Sequence, residues 1–125
     1  GVAMNLRVIL DAFRAQGADV AAIRLIGGGA RGRLWNQIMA DVYGVPVQRL
    51  AILEEATSMG AALTGGIGVG LYAGFSMAEA MNPVAATIDP DPKAQRVYEA
   101  MLPIFRQTYE ALIPVYDRLA ELEGS

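Results

Sequence analysis

The sequence predicts an α/β domain built on parallel strands, and three observations carry that expectation. Short apolar runs of strand length at 22–26 and 45–50 alternate with segments whose apolar residues recur every three or four positions. The first run leads straight into Gly27-Gly28-Gly29-Ala30-Arg31-Gly32, a strand feeding a glycine-rich turn. The resulting order of helix, strand, helix, strand, helix, short helix and long helix is the pattern of strands joined by helices in a parallel arrangement.

Residues 2–16 place Val2, Leu6, Ile9, Leu10 and Phe13 on one face of a helix that ends at Gly17. No capping residue precedes it, and the chain lacks an initiator Met. The expectation is therefore a polypeptide that starts inside something longer, with the strands that complete its sheet lying upstream. A second helix is expected over Arg33–Tyr43, with Leu34, Trp35, Ile38, Met39 and Val42 as its stripe and Gly44 just past its end. Residues 45–50 follow as a strand, with Pro46 at its start, where a missing N–H costs least.

Residues 56–67 form a helix in which Gly60, Ala61, Ala62 and Gly65 allow backbones to approach closely, and glycines 65, 66, 68 and 70 break it up. Ser76 and Glu79 have the spacing of a capping box for a short helix that stops before Pro83, and 84–88 reads as extended. Asp91 followed by Pro92 opens the longest helix. Its stripe is Val97, Met101, Ile104, Phe105, Thr108, Leu112 and Tyr116, and Pro103 and Pro114 are expected to kink it.

Composition narrows the chemistry. A chain of 125 residues is the size of one domain, and 54% apolar with 18% charged residues excludes disorder. With neither Cys nor His, thiol nucleophiles, disulfides, imidazole bases and their zinc sites are ruled out. The ten Lys and Arg are scattered on a chain of net charge −3, so nucleic acid is not an expected partner. No apolar run approaches the roughly 18 residues of a membrane span and no signal peptide opens the chain, which points to a cytoplasmic protein without membrane contact.

The glycine turn is the main chemical signal. Glycines let a backbone approach a phosphate, and the following helix offers unpaired N–H groups and a partial positive charge. Gly27-x-Gly29-x-x-Gly32 meets the dinucleotide spacing, yet the next strand carries Arg49 and no acid to hold a ribose. From spacing alone, a tight turn without a ligand and a nucleotide site both remain open. Elsewhere the plain readings come first: Glu54 and Glu55 compensate a helix dipole, and Asp41 is an exposed or edge acid. Trp35 belongs to the core, and Asp89 and Asp91 cap a turn rather than bind metal.

Ile23-Arg24-Leu25-Ile26-Gly27-Gly28-Gly29-Ala30-Arg31 and Leu34-Trp35-Asn36-Gln37-Ile38-Met39-Ala40-Asp41-Val42-Tyr43-Gly44-Val45-Pro46-Val47 closely resemble the C-terminal segment of the FGGY carbohydrate kinases, most of all the xylulokinases. Glu55-Ala56-Thr57-Ser58-Met59-Gly60-Ala61-Ala62-Leu63 and Gly68-Val69-Gly70-Leu71-Tyr72 continue the likeness, and Gly1 to Arg7 resembles the family's preceding helix.

The resemblance implies part of an actin-like ATPase (ribonuclease H-like) fold, with residues 1–125 a single C-terminal fragment of the second of two kinase domains. It implies ATP and Mg²⁺ as cofactors and transfer of phosphate to a sugar, xylulose giving xylulose 5-phosphate. It places Gly28, Gly29 and Ala30 against the nucleotide and Arg31, Arg33 and Leu34 beside the adenosine. It assigns no catalytic and no metal-binding residue to this segment, and it leaves the sugar mainly to the rest of the kinase. By itself the segment is expected to be inactive and to self-associate. A free-standing nucleotide-binding or interaction module without catalysis is the alternative.

Overall fold

The computed structural model of the chain describes residues 1–123. Among them the elements are α1 (Val2–Ala15), β1 (Ile23–Leu25), a 3-10 turn (Gly28–Arg31), α2 (Arg33–Tyr43), β2 (Val47–Leu50), α3 (Ala56–Gly68), α4 (Met77–Met81), β3 (Val84–Ile88) and α5 (Pro92–Glu123). No described helix is long and apolar enough to cross a membrane.

Strands β1 and β2 pair in parallel, with Ile23 opposite Val47 and Leu25 opposite Arg49. β3 pairs with β2 in the antiparallel sense, so the sheet is mixed, in the order β1-β2-β3, where the sequence suggested parallel strands only. The cause lies in the connection. The segment carrying α3 and α4 leaves β2 at Leu50 and returns to that same end, where Val84 pairs with Leu50, so β3 can only run back. Asn82 closes the excursion: its Oδ1 accepts from the Ile52 N–H at 2.8 Å, and its Nδ2 donates to the Ile52 carbonyl at 2.7 Å.

The core gathers around α2. Met39, Ala40, Val42 and Tyr43 are buried together with Ala3, Met4 and Leu10 of α1 and Val47 of β2, and Tyr98, Leu102 and Phe105 of α5 pack against this cluster. Gly44 ends α2 in the left-handed conformation, φ +66°, as its place in the sequence indicates. Burial pushes the Tyr43 hydroxyl above its ordinary pKa of 10.0 and keeps it neutral.

Asp41 departs from its expected exposed or edge position. It is 5% exposed, and its Oδ1 accepts from Gln37 Nε2 at 2.8 Å and from the Asp91 backbone N–H at 2.7 Å. Asp91 in turn accepts the Lys93 N–H at 2.8 Å, the expected cap of α5. One buried carboxylate thus fixes where the long helix begins.

Other expectations need correction. In α1 the face turned to the core is Ala3, Met4 and Leu10, whereas Val2, Ile9 and Phe13 of the expected stripe lie exposed. In α5 the stripe residues Val97, Met101, Ile104, Leu112 and Tyr116 are exposed, and every residue from 106 to 122 is exposed. Pro103 and Pro114 do lie inside this helix. The capping box does not form, because Ser76 makes no side-chain cap and Glu79 instead takes Arg24 at 2.7 Å. In α3 the close approach falls at Gly66, against the ring of Tyr72, while a side chain at Gly60 or Gly65 would meet nothing.

Asp41→Ala is expected to destabilise the chain by about 1–3 kcal/mol, because it leaves two donors without their acceptor; chemical denaturation of the two proteins measures it. β1 and β3 are both sheet edges, and apolar faces of α1 and α5 lie open. The chain is therefore expected to self-associate at micromolar concentration in light scattering. A clean monomer with a cooperative melt would contradict that expectation.

Candidate functional site

The site is built where β1 ends. Gly27 adopts φ +77°, ψ −178°, a region of backbone space held almost only by glycine. Its N–H donates to the Leu53 carbonyl at 2.8 Å, tying the loop after β1 to the loop after β2. The chain then closes a 3-10 turn, with the Ala30 N–H on the Gly27 carbonyl at 3.1 Å and the Gly32 N–H on the Gly29 carbonyl at 3.4 Å. Ala30 is buried, and its carbonyl accepts a 2.8 Å hydrogen bond from Asn36 Nδ2 one turn into α2. Gly32 precedes α2 without a side-chain cap, so the first N–H groups of that helix have no side-chain acceptor and can serve an anion.

Gly28, Gly29, Ala30 and Arg31 therefore sit together in the 3-10 turn, and Arg33 and Leu34 in the first turn of α2. The structure brings three of these six to one cleft. Arg31, Arg33 and Leu34 line a space of about 620 Å³ together with Asn36 and Gln37 of α2, Arg49 of β2 and Ala86 and Ile88 of β3. Gly28, Gly29 and Ala30 lie beside the cleft and not in its lining. A Cβ on Gly29 would lie 3.6 Å from Trp35 Nε1, whereas one on Gly28 would meet nothing within 4 Å. The left-handed glycine of the turn is Gly27, so the strain of a substitution belongs there and not to Gly29.

Arg49, Asn36 and Gln37 escaped the sequence reading. Arg49 stands where a dinucleotide site would need an acid; it was visible as a cation on a short strand, but only the fold shows that it lines a cleft with α2. Asn36 is 3% exposed, and its Oδ1 is buried without a hydrogen-bond partner. The Nδ2 bond to the Ala30 carbonyl fixes the amide in that orientation.

Of the acidic pair, Glu54 forms an ion pair with Arg31 and so bridges the loop after β2 to the 3-10 turn. Glu55 is the N-cap residue of α3, at the positive end of its dipole, and makes no side-chain cap; no acid lies in the first helical turn. Trp35 packs against the core cluster. Among the described residues no group of acids is placed to hold a metal ion.

Comparison with known proteins adds a family to this geometry. The description of the FGGY family of carbohydrate kinases, C-terminal domain, matches residues 1–69. The autoinducer-2 kinase of Yersinia enterocolitica is 50% identical over 56 residues, which are 45% of this chain and 10% of that protein. The crystal structure of xylulose kinase from Rhodospirillum rubrum superposes with a TM-score of 0.79 at 31% identity, over 93% of this chain and 24% of that one. A gluconate kinase structure from Lactobacillus acidophilus, 20% identical with a TM-score of 0.74 over 82% of this chain and 20% of its own, shares the fold. The chain thus spans about a quarter or less of the proteins it matches.

Gly27→Ala is expected to cost about 1–3 kcal/mol of stability, since no alanine readily holds that backbone conformation. Gly29→Ala, with an ordinary φ and only a van der Waals contact to Trp35, is expected to cost less than half as much. Urea titration of both variants checks the order; equal losses would show that the conformation of Gly27 is not what the turn depends on.

Proposed function

This chain belongs to the FGGY family of carbohydrate kinases, through the family's C-terminal domain, and from that premise we propose that it supplies one wall of the ATP site of a cytoplasmic sugar kinase. The observation that carries the proposal is the 3-10 turn and uncapped α2 N-terminus at the carboxyl end of β1. They stand beside a cleft lined by three arginines, within the segment that bears the family signature. Ligands of open α/β sheets sit outside the carboxyl ends of parallel strands, which is where this turn lies.

In this reading Gly28, Gly29 and Ala30 lie along the nucleotide, and Arg31, Arg33 and Leu34 border it. The helix dipole and free N–H groups of α2 favour the anionic end. The rest of the kinase, including its first domain, provides the sugar site and a base that takes the proton of a sugar hydroxyl. The hydroxyl oxygen bonds to the γ-phosphorus as the bond to ADP breaks. Xylulose is the proposed acceptor, on likeness to the xylulokinases. The cleft residues are cationic or neutral and do not fit Mg²⁺, which takes oxygen ligands; no step by this chain's residues passes through that ion.

Two measurements test the proposal. The 125-residue chain alone is expected to form no sugar phosphate from ATP and xylulose, and turnover by the pure chain would overturn the one-wall reading. In the intact kinase, Gly28→Val places its side chain where the fold has open space, so folding is spared and only ligand approach is obstructed. Calorimetry is expected to show ATP binding weakened about tenfold, some 1.4 kcal/mol, with sugar binding unchanged. Unchanged ATP affinity in the folded variant would remove the turn from the nucleotide site.

A further inference from the structure

The lining of the cleft between α2 and the β2–β3 edge of the sheet is uncompensated in charge. Arg31, Arg33 and Arg49 all contribute to it and no Asp or Glu does. Arg31 has a partner in Glu54, on the far side of the turn. Arg33 and Arg49 have none: among the described residues neither makes a side-chain hydrogen bond or an ion pair.

For Arg33, exposed in the first turn of α2, that is unremarkable, since water serves it. For Arg49 it is not. Arg49 is half-buried in the middle strand, with apolar Leu25 and Ala86 as its register neighbours on either side. A half-buried guanidinium without a counter-ion has lost part of its hydration, a loss that a bound anion would offset. Arg49 also lines a second cleft that shares Arg31, where Glu54 and Glu55 stand near it without forming an ion pair with it, Glu54 being taken by Arg31.

We infer that Arg49 and Arg33 clamp a phosphate group in this cleft, with Arg49 as the donor at its floor. A tetrahedral dianion suits this surface: the planar fork of each guanidinium gives paired donors, and the α2 N-terminus adds its dipole on the same side. The phosphate belongs either to the nucleotide proposed above or to a separate phosphate ester. The inference rests on the nucleotide reading only for which of these is the source.

Titration calorimetry of the intact chain with inorganic tripolyphosphate, ATP and adenosine separates the cases, using the unsubstituted chain, R49M, R49K and R33M. Thermal melts accompany each variant as a check that it folds. The expected result is tripolyphosphate binding that falls about tenfold in R49M and less in R33M. R49K recovers only part of it, since an ammonium cannot donate as a fork. Adenosine binding is expected to stay the same in R49M and R49K, which a structural defect would not allow.

Displacement of tripolyphosphate by ATP at equal stoichiometry assigns the phosphate to the nucleotide; simultaneous binding of both assigns it to a separate ester, and either outcome supports the clamp. Folded R49M with unaltered tripolyphosphate affinity overturns it, as does an unsubstituted chain that binds no tripolyphosphate. Loss of the nucleotide reading looks different. There the chain binds no adenosine, and ATP no better than tripolyphosphate, while the dependence on Arg49 persists.

Discussion

Two buried polar side chains on one helix hold the fold in register. Asn36 and Asp41 lie on α2, and each ties a different part of the chain to it. Asn36 holds the carbonyl of Ala30 and so fixes the 3-10 turn, and Asp41 takes the N–H of Asp91 and so fixes the start of α5. Between them Met39 and Ala40 are packed into the core. Apolar contact alone would let α2 slide or rotate against its neighbours at little cost, whereas a buried donor or acceptor that loses its partner pays the full loss of hydration. The position of the glycine turn relative to the cleft is therefore set from within the core.

The other end of α2 is tied by α1. Arg7 donates to the carbonyl of Val42 and Arg14 to that of Tyr43, so cations from the neighbouring helix meet the free carbonyls where the α2 dipole is negative. Asp11 holds both arginines in place, at 2.7 Å from Arg7 and 3.6 Å from Arg14, and reaches Arg106 of α5 at 3.1 Å. One acid thus joins α1 to α5 and, through the two arginines, to the end of α2. This is why α1 presents Ala3, Met4 and Leu10 to the core and leaves Val2, Ile9 and Phe13 outside: the arginines must face α2, and the helix rotates accordingly.

Local chemistry was legible in the sequence. The bounds of α2, the left-handed Gly44, the cap by Asp91 and the turn after β1 each depend on residues within a few positions of one another. Contacts across the chain were not. The antiparallel return of β3 follows from where the α3–α4 excursion ends, which Asn82 and Ile52 decide across thirty residues. Periodicity marked apolar stripes on α1 and α5, but a stripe does not say whether a partner covers it, and the core takes Ala3, Met4 and Leu10 of α1 and Tyr98, Leu102 and Phe105 of α5. In the site, the residues known by resemblance were local to the turn, while Arg49 enters from another strand and could be placed only once the sheet order was known.

Charge makes the same point from the opposite direction. With 13 acidic residues against ten basic ones, the chain has more than enough carboxylates to pair every cation it carries. Arg7, Arg14, Arg24, Arg31 and Arg106 do find acids. Arg33 and Arg49 do not, although Glu54 and Glu55 line the adjoining cleft together with Arg49. Glu54 turns instead to Arg31, and by doing so braces the turn while leaving the cleft itself positive. A surface potential of that sign on a chain of net negative charge acts only over short range, within about 8 Å at physiological salt. It can hold an anion that has already entered the cleft, but it cannot draw one in from afar. Capture must then depend on the shape and donors of the cleft, which the buried amide of Asn36 and the glycine turn keep in place.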